Sequence, residues 1–361
     1  MSTLPLLIQV LRQPGRLGAL SPGEWDLLLR QAASARLVTR LHSLLEEHGL
    51  LGQVPQQART HLEWSQMLAA RHRRAVHWEI EQIRRALAGL GLRPILLKGG
   101  AYAAAGLPPA SGRLFSDIDI MVPKGSLNHV EAALMKHGWI SGHTDPYDQR
   151  YYREWMHELP PMHNLRRDTL IDVHHAILPE TARARPDPDK LRAGARPVDG
   201  DADFMTLAPA DMVLHSATHL FYGEFEHGLR DLVDIDRLLR HFEAEPGFWD
   251  GLAGRARALE LGRPLFYALR MAQRLLDTPV PAAVLADAGR DAPGPALLTL
   301  MDWLFGHGLM PGHASCTRRG TGAAKLALYI RANWLRMPPL LLARHLFHKA
   351  FISPKTGSPG A

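Results

Sequence analysis

One seven-residue segment limits what this chain can fold into. Residues 116–122, Ser-Asp-Ile-Asp-Ile-Met-Val, alternate between polar and apolar side chains. Successive side chains of a β-strand point to opposite faces, so the alternation predicts a strand with Asp117 and Asp119 on one face and an apolar face in the core. Two carboxylates on one face repel each other unless a cation lies between them. A hard divalent ion such as Mg²⁺, which takes oxygen ligands and is usually shared with phosphates, fits this pair.

A glycine pair precedes this strand in the sequence. Residues 94–97 are apolar and predict a short buried strand, after which the chain continues as Lys98, Gly99 and Gly100 into an alanine-rich helix over residues 101–105. Glycine lets a backbone approach phosphate closely, and the first amides of a helix attract anions. The chain therefore has candidates for a phosphate-binding site. They are Lys98, Gly99, Gly100, Arg113 and Ser116.

A third carboxylate stands in another apolar run. Asp172 lies within Leu-Ile-Asp-Val-His, residues 170–174, where an unpaired carboxylate would be costly to bury. Shared metal binding explains it, so we expect Asp117, Asp119 and Asp172 to be the metal-binding and catalytic residues, with Asp172 helping to deprotonate an attacking hydroxyl. Asp168 and Glu158 are weaker candidates, because both stand beside turns or polar residues.

The remaining pattern places this segment between helical regions. A capping box at Ser21 and Glu24 begins helical periodicity that extends to residue 45, and further helices are predicted over 57–90, 126–137 and from 207 onward. Extended segments are predicted from Trp139, over 151–164 and over 169–177, with prolines 160 and 161 marking an edge strand or an interruption. The order of elements predicts a small mixed α/β sheet. The predicted divisions are a helical region over 1–92, a core over 93–178, a linker or loosely paired hairpin over 179–206, a helical domain over 207–352 and a tail over 353–361.

Composition excludes several classes of protein. The 361 residues are 46% hydrophobic and 22% charged, which is typical of globular chains and not of disordered or fibrous ones. Cys316 is the single cysteine, so neither an internal disulfide nor a multi-thiolate zinc site can form. The N-terminus lacks the pattern of a secretion signal, and we predict a cytoplasmic location.

The net charge of +6 is concentrated near the C-terminus. No Asp or Glu follows Asp302, whereas eight Lys or Arg residues do, between positions 318 and 355. A basic outer face on packed core helices is the simplest explanation. Contact of residues 318–355 with an anionic surface, either nucleic acid or membrane, is the alternative.

Histidines and charged residues of the helical half allow two interpretations. His215 and His219 are four residues apart on one helical face, but the intervening residues lack the glutamate of a zinc-protease motif, which favours a core or hydrogen-bonded pair. Arg230, Asp231 and Asp234 fit an ordinary solvated helix face. Arg230 and Asp234 are also candidates for nucleotide contact if this helix packs over the sheet. His174 and His175 flank Asp172 and need no function of their own.

The glycine pair, the Asp-x-Asp strand and Asp172 together resemble the polymerase-beta-like nucleotidyltransferase superfamily. Residues 97–100, 113–122 and 171–175 are closely similar to uncharacterised bacterial nucleotidyltransferase family proteins, and the Lys-Gly-Gly and Asp-x-Asp pairing is also similar to AbiEii-type toxin nucleotidyltransferases. The likeness extends more loosely over residues 207–239. Ala101 departs from the pattern, because related enzymes often have Ser or Thr there.

The resemblance implies a nucleotidyltransferase α/β core with helical additions at both ends, with Mg²⁺ as cofactor, two ions being expected, and an NTP such as ATP as substrate. It implies transfer of a nucleoside monophosphate to an acceptor hydroxyl with release of pyrophosphate. The acceptor is open between RNA, protein, a sugar and a small molecule. A nucleotide-binding protein without catalysis, suggested by Ala101, and a protein that acts mainly through its basic tail are the alternative functions.

Overall fold

The structure, a computed structural model, describes residues 4–142, 145–338 and Leu342. Helices dominate both ends of this part of the chain, and strands are concentrated between them. The helices are α1 (Leu6–Arg12), α2 (Pro22–Ser34), α3 (Val38–Glu47), α4 (Gln56–Leu87), α5 (Lys98–Ala104), α6 (Leu127–Lys136), α7 (Pro146–Arg150), α8 (Pro188–Gly194), α9 (Pro209–Phe221), α10 (Gly228–Phe242), α11 (Phe248–Ala258), α12 (Gly262–Leu276), α13 (Ala282–Ala288), α14 (Pro295–Gly308) and α15 (Thr321–Arg336).

A mixed sheet of seven strands forms the centre of the described chain. Its strands are β1 (Ile95–Leu96), β2 (Asp117–Met121), β3 (Trp139–Ser141), β4 (Met162–Asn164), β5 (Leu170–His174), β6 (Arg196–Val198) and β7 (Asp201–Thr206). Their order across the sheet is β3-β4-β5-β2-β1-β7-β6. The pairs β2–β5 and β1–β7 are parallel, and the other neighbours are antiparallel. This confirms the predicted α/β fold with helical additions at both ends.

The central strand pair brings two of the predicted carboxylates together. β2 and β5 run parallel with Asp119 directly opposite Asp172. Ile118 and Ile120 are fully buried on the other face, as the alternation predicts. The register follows from this burial, because a slip by one residue would turn the carboxylates into the core.

The N-terminal helices pack against the sheet through α4. The predicted capping box is present at the start of α2, where the Ser21 amide donates to Glu24 and the Glu24 amide donates to Ser21 Oγ. α4 buries Leu62, Val76 and Ile80 along one face. The following turn ends in Gly91 with a φ of +62°, a left-handed conformation that glycine adopts at little cost.

Two segments differ from their predictions. The helix after β1 begins at Lys98, three residues earlier than expected, so Gly99 and Gly100 lie in its first turn instead of in a loop before it. Residues Tyr151–Trp155 form a helical turn, although their aromatic side chains predicted a strand. Strand propensity is weak compared with local packing, and here Arg153 is held by Glu131 of α6 at 2.7 Å.

The other extended segments match their predictions more closely. Prolines 160 and 161 interrupt the chain just before β4, which lies inside the sheet between β3 and β5 and is not an edge strand. Residues 179–206 contain the hairpin β6–β7, but β7 pairs with β1 in the central sheet, so the sheet continues beyond residue 178. The predicted domain boundaries stay a prediction.

Part of the basic tail packs inward. Arg331 of α15 donates to the carbonyl of Phe221, and its guanidinium lies over the rings of Tyr267 and Phe305. Arg336 donates to the carbonyl of Tyr222 at 3.1 Å. These two cations attach α15 to the end of α9. The basic residues at 344, 349 and 355 and the tail over 353–361 lie outside the described residues.

Candidate active site

Asp119 is the most tightly held carboxylate of the site. Its side chain is 3% exposed, and its Oδ1 atom lies 2.8 Å from Lys98 Nζ and 3.0 Å from His174 Nε2. Burial alone would raise the pKa of Asp119, but the charges and hydrogen bonds of Lys98 and His174 outweigh burial and hold that pKa well below its usual range. Asp119 is therefore ionised and acts only as an acceptor.

Asp172 lies beside Asp119 without a partner of its own. The register of β2 and β5 sets the two residues opposite each other, and no hydrogen bond or ion pair joins the Asp172 side chain to another described residue. Burial, followed by the negative charge of Asp119, raises the pKa of Asp172 to about 7. A cation between the two carboxylates would remove this penalty.

His174 connects Asp119 to a second acidic residue. Its Nδ1 atom lies 3.0 Å from Glu158 Oε2, while its Nε2 atom faces Asp119. Residues 157–159 run alongside the end of β5, where the His175 amide donates to the His157 carbonyl. Burial would lower the pKa of His174, but Glu158 and Asp119 raise it to about 9. The same contact lowers the pKa of Glu158 to about 2 despite its burial.

Lys98 reaches Asp119 from the first residue of α5. Its φ of +44° lies in the left-handed region, which non-glycine residues adopt at a cost. Burial would lower the pKa of Lys98, but Asp119 outweighs burial and raises it. In this structure the ammonium group is thus a counter-ion for the buried carboxylate.

Arg113 and Asp234, two predicted nucleotide contacts, form an ion pair with each other. Both side chains are nearly buried, and the Arg113 guanidinium also lies 5.7 Å from the centre of the Tyr102 ring. The ion pair joins the loop before β2 to α10. This ion pair holds α10 against the core, as the sequence predicts.

Ser116 and Arg230 line a groove between the N-terminal helices and the start of β2. The groove has a volume of about 350 Å³. We call it the Ser116 groove, and its walls combine the apolar side chains of Val38, Leu68 and Phe115 with the charged groups of Arg36 and Arg230. Arg230 is paired with the neighbouring Asp231 at 2.8 Å. Pockets of this size and mixed lining suit small ligands.

Asp117 lies on the same strand as Asp119 but outside the tightest cluster. Its Oδ1 atom accepts a hydrogen bond from Ser116 Oγ at 2.6 Å. Among the described residues, two groups have ligand atoms that all lie within 4.8 Å of one another. They are Asp119, Asp172 and His174, and His157, Glu158 and His174.

A second cavity, of about 250 Å³, opens beside Asp172. Lys98, Glu158 and His174 line one side of it, and His215 and His219 of α9 line another. Burial holds the pKa of His215 well below its usual range. The His219 Nδ1 atom lies 3.6 Å from Asp231 Oδ2. Both histidines are therefore part of the cavity wall, and His219 has an acidic neighbour.

Sequence reasoning missed the contribution of three residues. His174 was expected only to flank the site, yet it lies two residues after Asp172 on the same strand face, a spacing that would have identified it. The sequence makes Glu158 only a weak candidate and does not single out His157. No local signal identifies them, because they reach His174 only through the pairing of residues 157–159 with β5.

The fold and the site define a class of protein. A mixed sheet that sets carboxylates side by side on parallel strands, next to a short glycine-containing helix, is an arrangement suited to metal-assisted phosphoryl transfer. Residues 21–277 match the family described as uncharacterised nucleotidyltransferase, and the chain belongs to that family. Comparison with curated proteins and with solved structures gives no match. Within the described residues, no helix has the length and apolar character needed to cross a membrane.

Proposed function

We propose that this protein is a Mg²⁺-dependent nucleotidyltransferase that moves a nucleoside monophosphate from an NTP to an acceptor hydroxyl and releases pyrophosphate. The observation that carries the proposal is the position of Asp119 opposite Asp172 on neighbouring strands. Of these two carboxylates, Asp119 has cationic partners among the described residues and Asp172 has none. A buried carboxylate without a partner is costly, and a divalent cation would stabilise it. Membership of the family supports nucleotidyl transfer as the class of reaction.

The donor atoms fit Mg²⁺. Asp119 and Asp172 offer carboxylate oxygens at adjacent positions, and we propose Asp117, on the same strand face as Asp119, as the third ligand. Mg²⁺, when bound, would neutralise charge on the triphosphate. A second ion stays a prediction.

We assign separate roles to the residues around Asp119. Lys98 and His174 keep Asp119 ionised and fix its orientation through their contacts at 2.8 and 3.0 Å. Asp172 faces the acceptor and takes the proton of its hydroxyl. The acceptor oxygen forms a bond to the α-phosphorus, the bond from that phosphorus to the bridging oxygen breaks, and pyrophosphate leaves with the electron pair.

The Ser116 groove is our proposed site for the nucleotide. Its apolar wall suits a base, and Arg36 and Arg230 suit phosphate oxygens. Arg113 and Asp234 would then shape the site through their ion pair instead of contacting the nucleotide. Gly99 and Gly100 stay predicted phosphate contacts through their backbone.

The position of Ala101 in the structure bears on the alternative of a nucleotide-binding protein without catalysis. Ala101 is 1% exposed and buried within the core, so a hydroxyl at this position would not lie on the surface of the site. The absence of Ser or Thr at position 101 therefore removes no exposed hydroxyl from the site.

The test is incubation of the protein with each of four α-³²P-labelled NTPs, Mg²⁺ and a lysate of the organism that encodes it. We expect a labelled product with the wild type and with Asp168→Asn, a control in the turn before β5, and none with Asp119→Asn or Asp172→Asn. A fully active Asp119→Asn variant would overturn the mechanism. Mg²⁺-dependent NTP binding by calorimetry without any labelled product would instead favour the non-catalytic function.

A further inference from the structure

We propose that His157, Glu158 and His174 bind a divalent transition metal such as Zn²⁺. Their ligand atoms all lie within 4.8 Å of one another, and all three side chains line the cavity of about 250 Å³. The set contains two imidazoles and one carboxylate, whereas the proposed Mg²⁺ site uses Asp carboxylates. This second site does not depend on the proposed nucleotidyl transfer.

Two buried nitrogen atoms point to a ligand at this position. The Nδ1 atom of His157 is inaccessible to solvent and makes no hydrogen bond to a described residue, and the equally buried Nδ1 atom of His174 faces Glu158 Oε2 at 3.0 Å. His174 is more than nine-tenths buried. Buried polar atoms without partners are uncommon in folded proteins, and a bound ion is one of the standard reasons for them.

The orientation of His174 directs Nδ1 toward Glu158, the other proposed ligand. Asp119 is ionised and can only accept, so the Nε2 atom of His174, 3.0 Å away, donates its hydrogen to Asp119. The Nδ1 atom of His174 faces Glu158 Oε2 at 3.0 Å. A proton lies between these two atoms when no metal is bound, and a divalent cation coordinated by both atoms would take its place. Metal-binding histidines usually donate their other N–H to a carboxylate, as His174 does here.

The ligand types and spacing favour a transition metal over Mg²⁺. Imidazole nitrogen is a preferred ligand of Zn²⁺, Co²⁺ and related ions, and two histidines with one glutamate form a known zinc ligand set. Ligand atoms about 2.1 Å from a tetrahedral ion lie about 3.4 Å apart, close to the 3.0 Å between His174 and Glu158. A small adjustment of side chains would complete the geometry.

The fourth ligand would come from the cavity. Three protein ligands leave one position of a tetrahedral ion open to water or to an oxygen of a bound molecule. Asp172 and Lys98 also line the cavity in which this fourth ligand would lie. The metal would thus stand next to the proposed transfer site while using different residues, except that His174 touches both.

The test uses Co²⁺ as a spectroscopic probe of the full chain. We expect the wild type to bind one Co²⁺ with visible d–d absorption, which Zn²⁺ displaces and Mg²⁺ does not. His157→Ala should weaken Co²⁺ binding by more than the roughly 10–100-fold that follows from loss of a residue hydrogen-bonded to a metal ligand. His129→Ala, which removes an exposed histidine of α6, should have no effect. Asp172→Asn should keep the absorption.

Three results would overturn the proposal. They are no d–d absorption in the wild type, unchanged Co²⁺ affinity in both His157→Ala and Glu158→Gln, or loss of the absorption in Asp172→Asn alone. Glu158→Gln serves as the second variant if circular dichroism shows that His157→Ala does not fold. Calorimetry of Mg²⁺ with NTP on the same preparations tests the proposed function separately, so the failure of one proposal leaves the other standing.

Discussion

The ammonium group of Lys98 contacts an oxygen of Asp119 that would otherwise be available to coordinate a metal ion. We predict that Lys98→Met lowers the free energy of unfolding by about 3 kcal/mol without Mg²⁺, the lower end of the cost of leaving a buried charge without its partner, because His174 remains. Mg²⁺ should restore more stability to the variant than to the wild type, since the ion then meets no competing ammonium. The measurement is urea unfolding with and without Mg²⁺.

The matched control for Lys98 is Lys124, which is paired with Glu180 on the surface. Both partners of that pair are more than half exposed, and such pairs contribute about 0–1 kcal/mol. Lys124→Met should change neither the stability nor its response to Mg²⁺. An equal Mg²⁺ response in the wild type and the Lys98 variant would show that Mg²⁺ does not bind at Asp119.

The two glycines of the site differ in the room around them. A Cβ atom on Gly99 would lie 3.1 Å from Phe115 Cδ1 and 3.2 Å from Arg113 Nε, whereas one on Gly100 would lie 3.5 Å from Ile118, an ordinary contact. We predict that Gly99→Ala costs about 1–3 kcal/mol through crowding and weakens NTP binding, since Phe115 lines the Ser116 groove. Gly100→Ala should be neutral or stabilise α5 by up to about 1 kcal/mol.

Thermal unfolding and nucleotide calorimetry on the two alanine variants distinguish these cases. If Gly100→Ala weakens NTP binding as strongly as Gly99→Ala, then the flexibility of the backbone matters for phosphate contact, and not the space around Gly99.

At the level of elements, the sequence predicts best where the local pattern and the tertiary environment agree. β2 and β5 were predicted correctly because an acidic residue in an apolar strand fixes both the period and the buried face. The resulting pairing of Asp119 with Asp172 then follows once the two strands are neighbours. The strand-to-helix order around the glycine pair agrees with the prediction, but the helix begins at Lys98 and includes both glycines, because the Leu97 carbonyl already accepts the first helical hydrogen bond.

Elements whose conformation depends on distant partners could not be predicted. The aromatic residues of Tyr151–Trp155 have strand propensity, but the segment is helical and fastened to α6 through Arg153. β6 and β7 form a hairpin within a segment rich in Pro, Ala and Asp, and the pairing of β7 with β1 joins this hairpin to the central sheet. Glu158 and His157 reach the site by the same kind of nonlocal pairing.

Helix α10 offers a test of the nucleotide site because two of its arginines have different surroundings. Arg230 lines the Ser116 groove, whereas Arg237, seven residues later, is paired with Glu47 and lines another cavity. We predict that Arg230→Ala weakens NTP binding about tenfold. A hydrogen bond to a charged group contributes roughly 1.5–3 kcal/mol, and the effect lies at the lower end because Arg230 is already paired with Asp231. Arg237→Ala should leave NTP affinity unchanged. Equal losses in both variants, measured by calorimetry, would contradict a nucleotide in the groove.

At the level of the whole molecule, the region that matches the family ends before the last helices of the described chain. The matched region stops at residue 277, in the turn after α12. Phe305 of α14 nevertheless packs against Phe221 and Tyr267 of the matched region, with ring centres 5.0 and 4.9 Å apart. The aromatic cluster therefore joins the C-terminal helices to α9, whose histidines line the cavity beside Asp172. The boundary of the match is not a boundary of folding.

This packing predicts a large cost for Phe305→Ala. The ring is fully buried, and removal of a buried phenylalanine side chain costs about 3–5 kcal/mol through lost burial and the cavity left behind. Leu297→Ala on the same helix should cost little, because that side chain is 46% exposed. Urea unfolding of both variants gives the comparison. If α14 and α15 formed a separate folding unit, Phe305→Ala would produce a second transition and leave the Mg²⁺ and NTP response of the remainder intact, whereas one shared core requires a single transition shifted to lower urea.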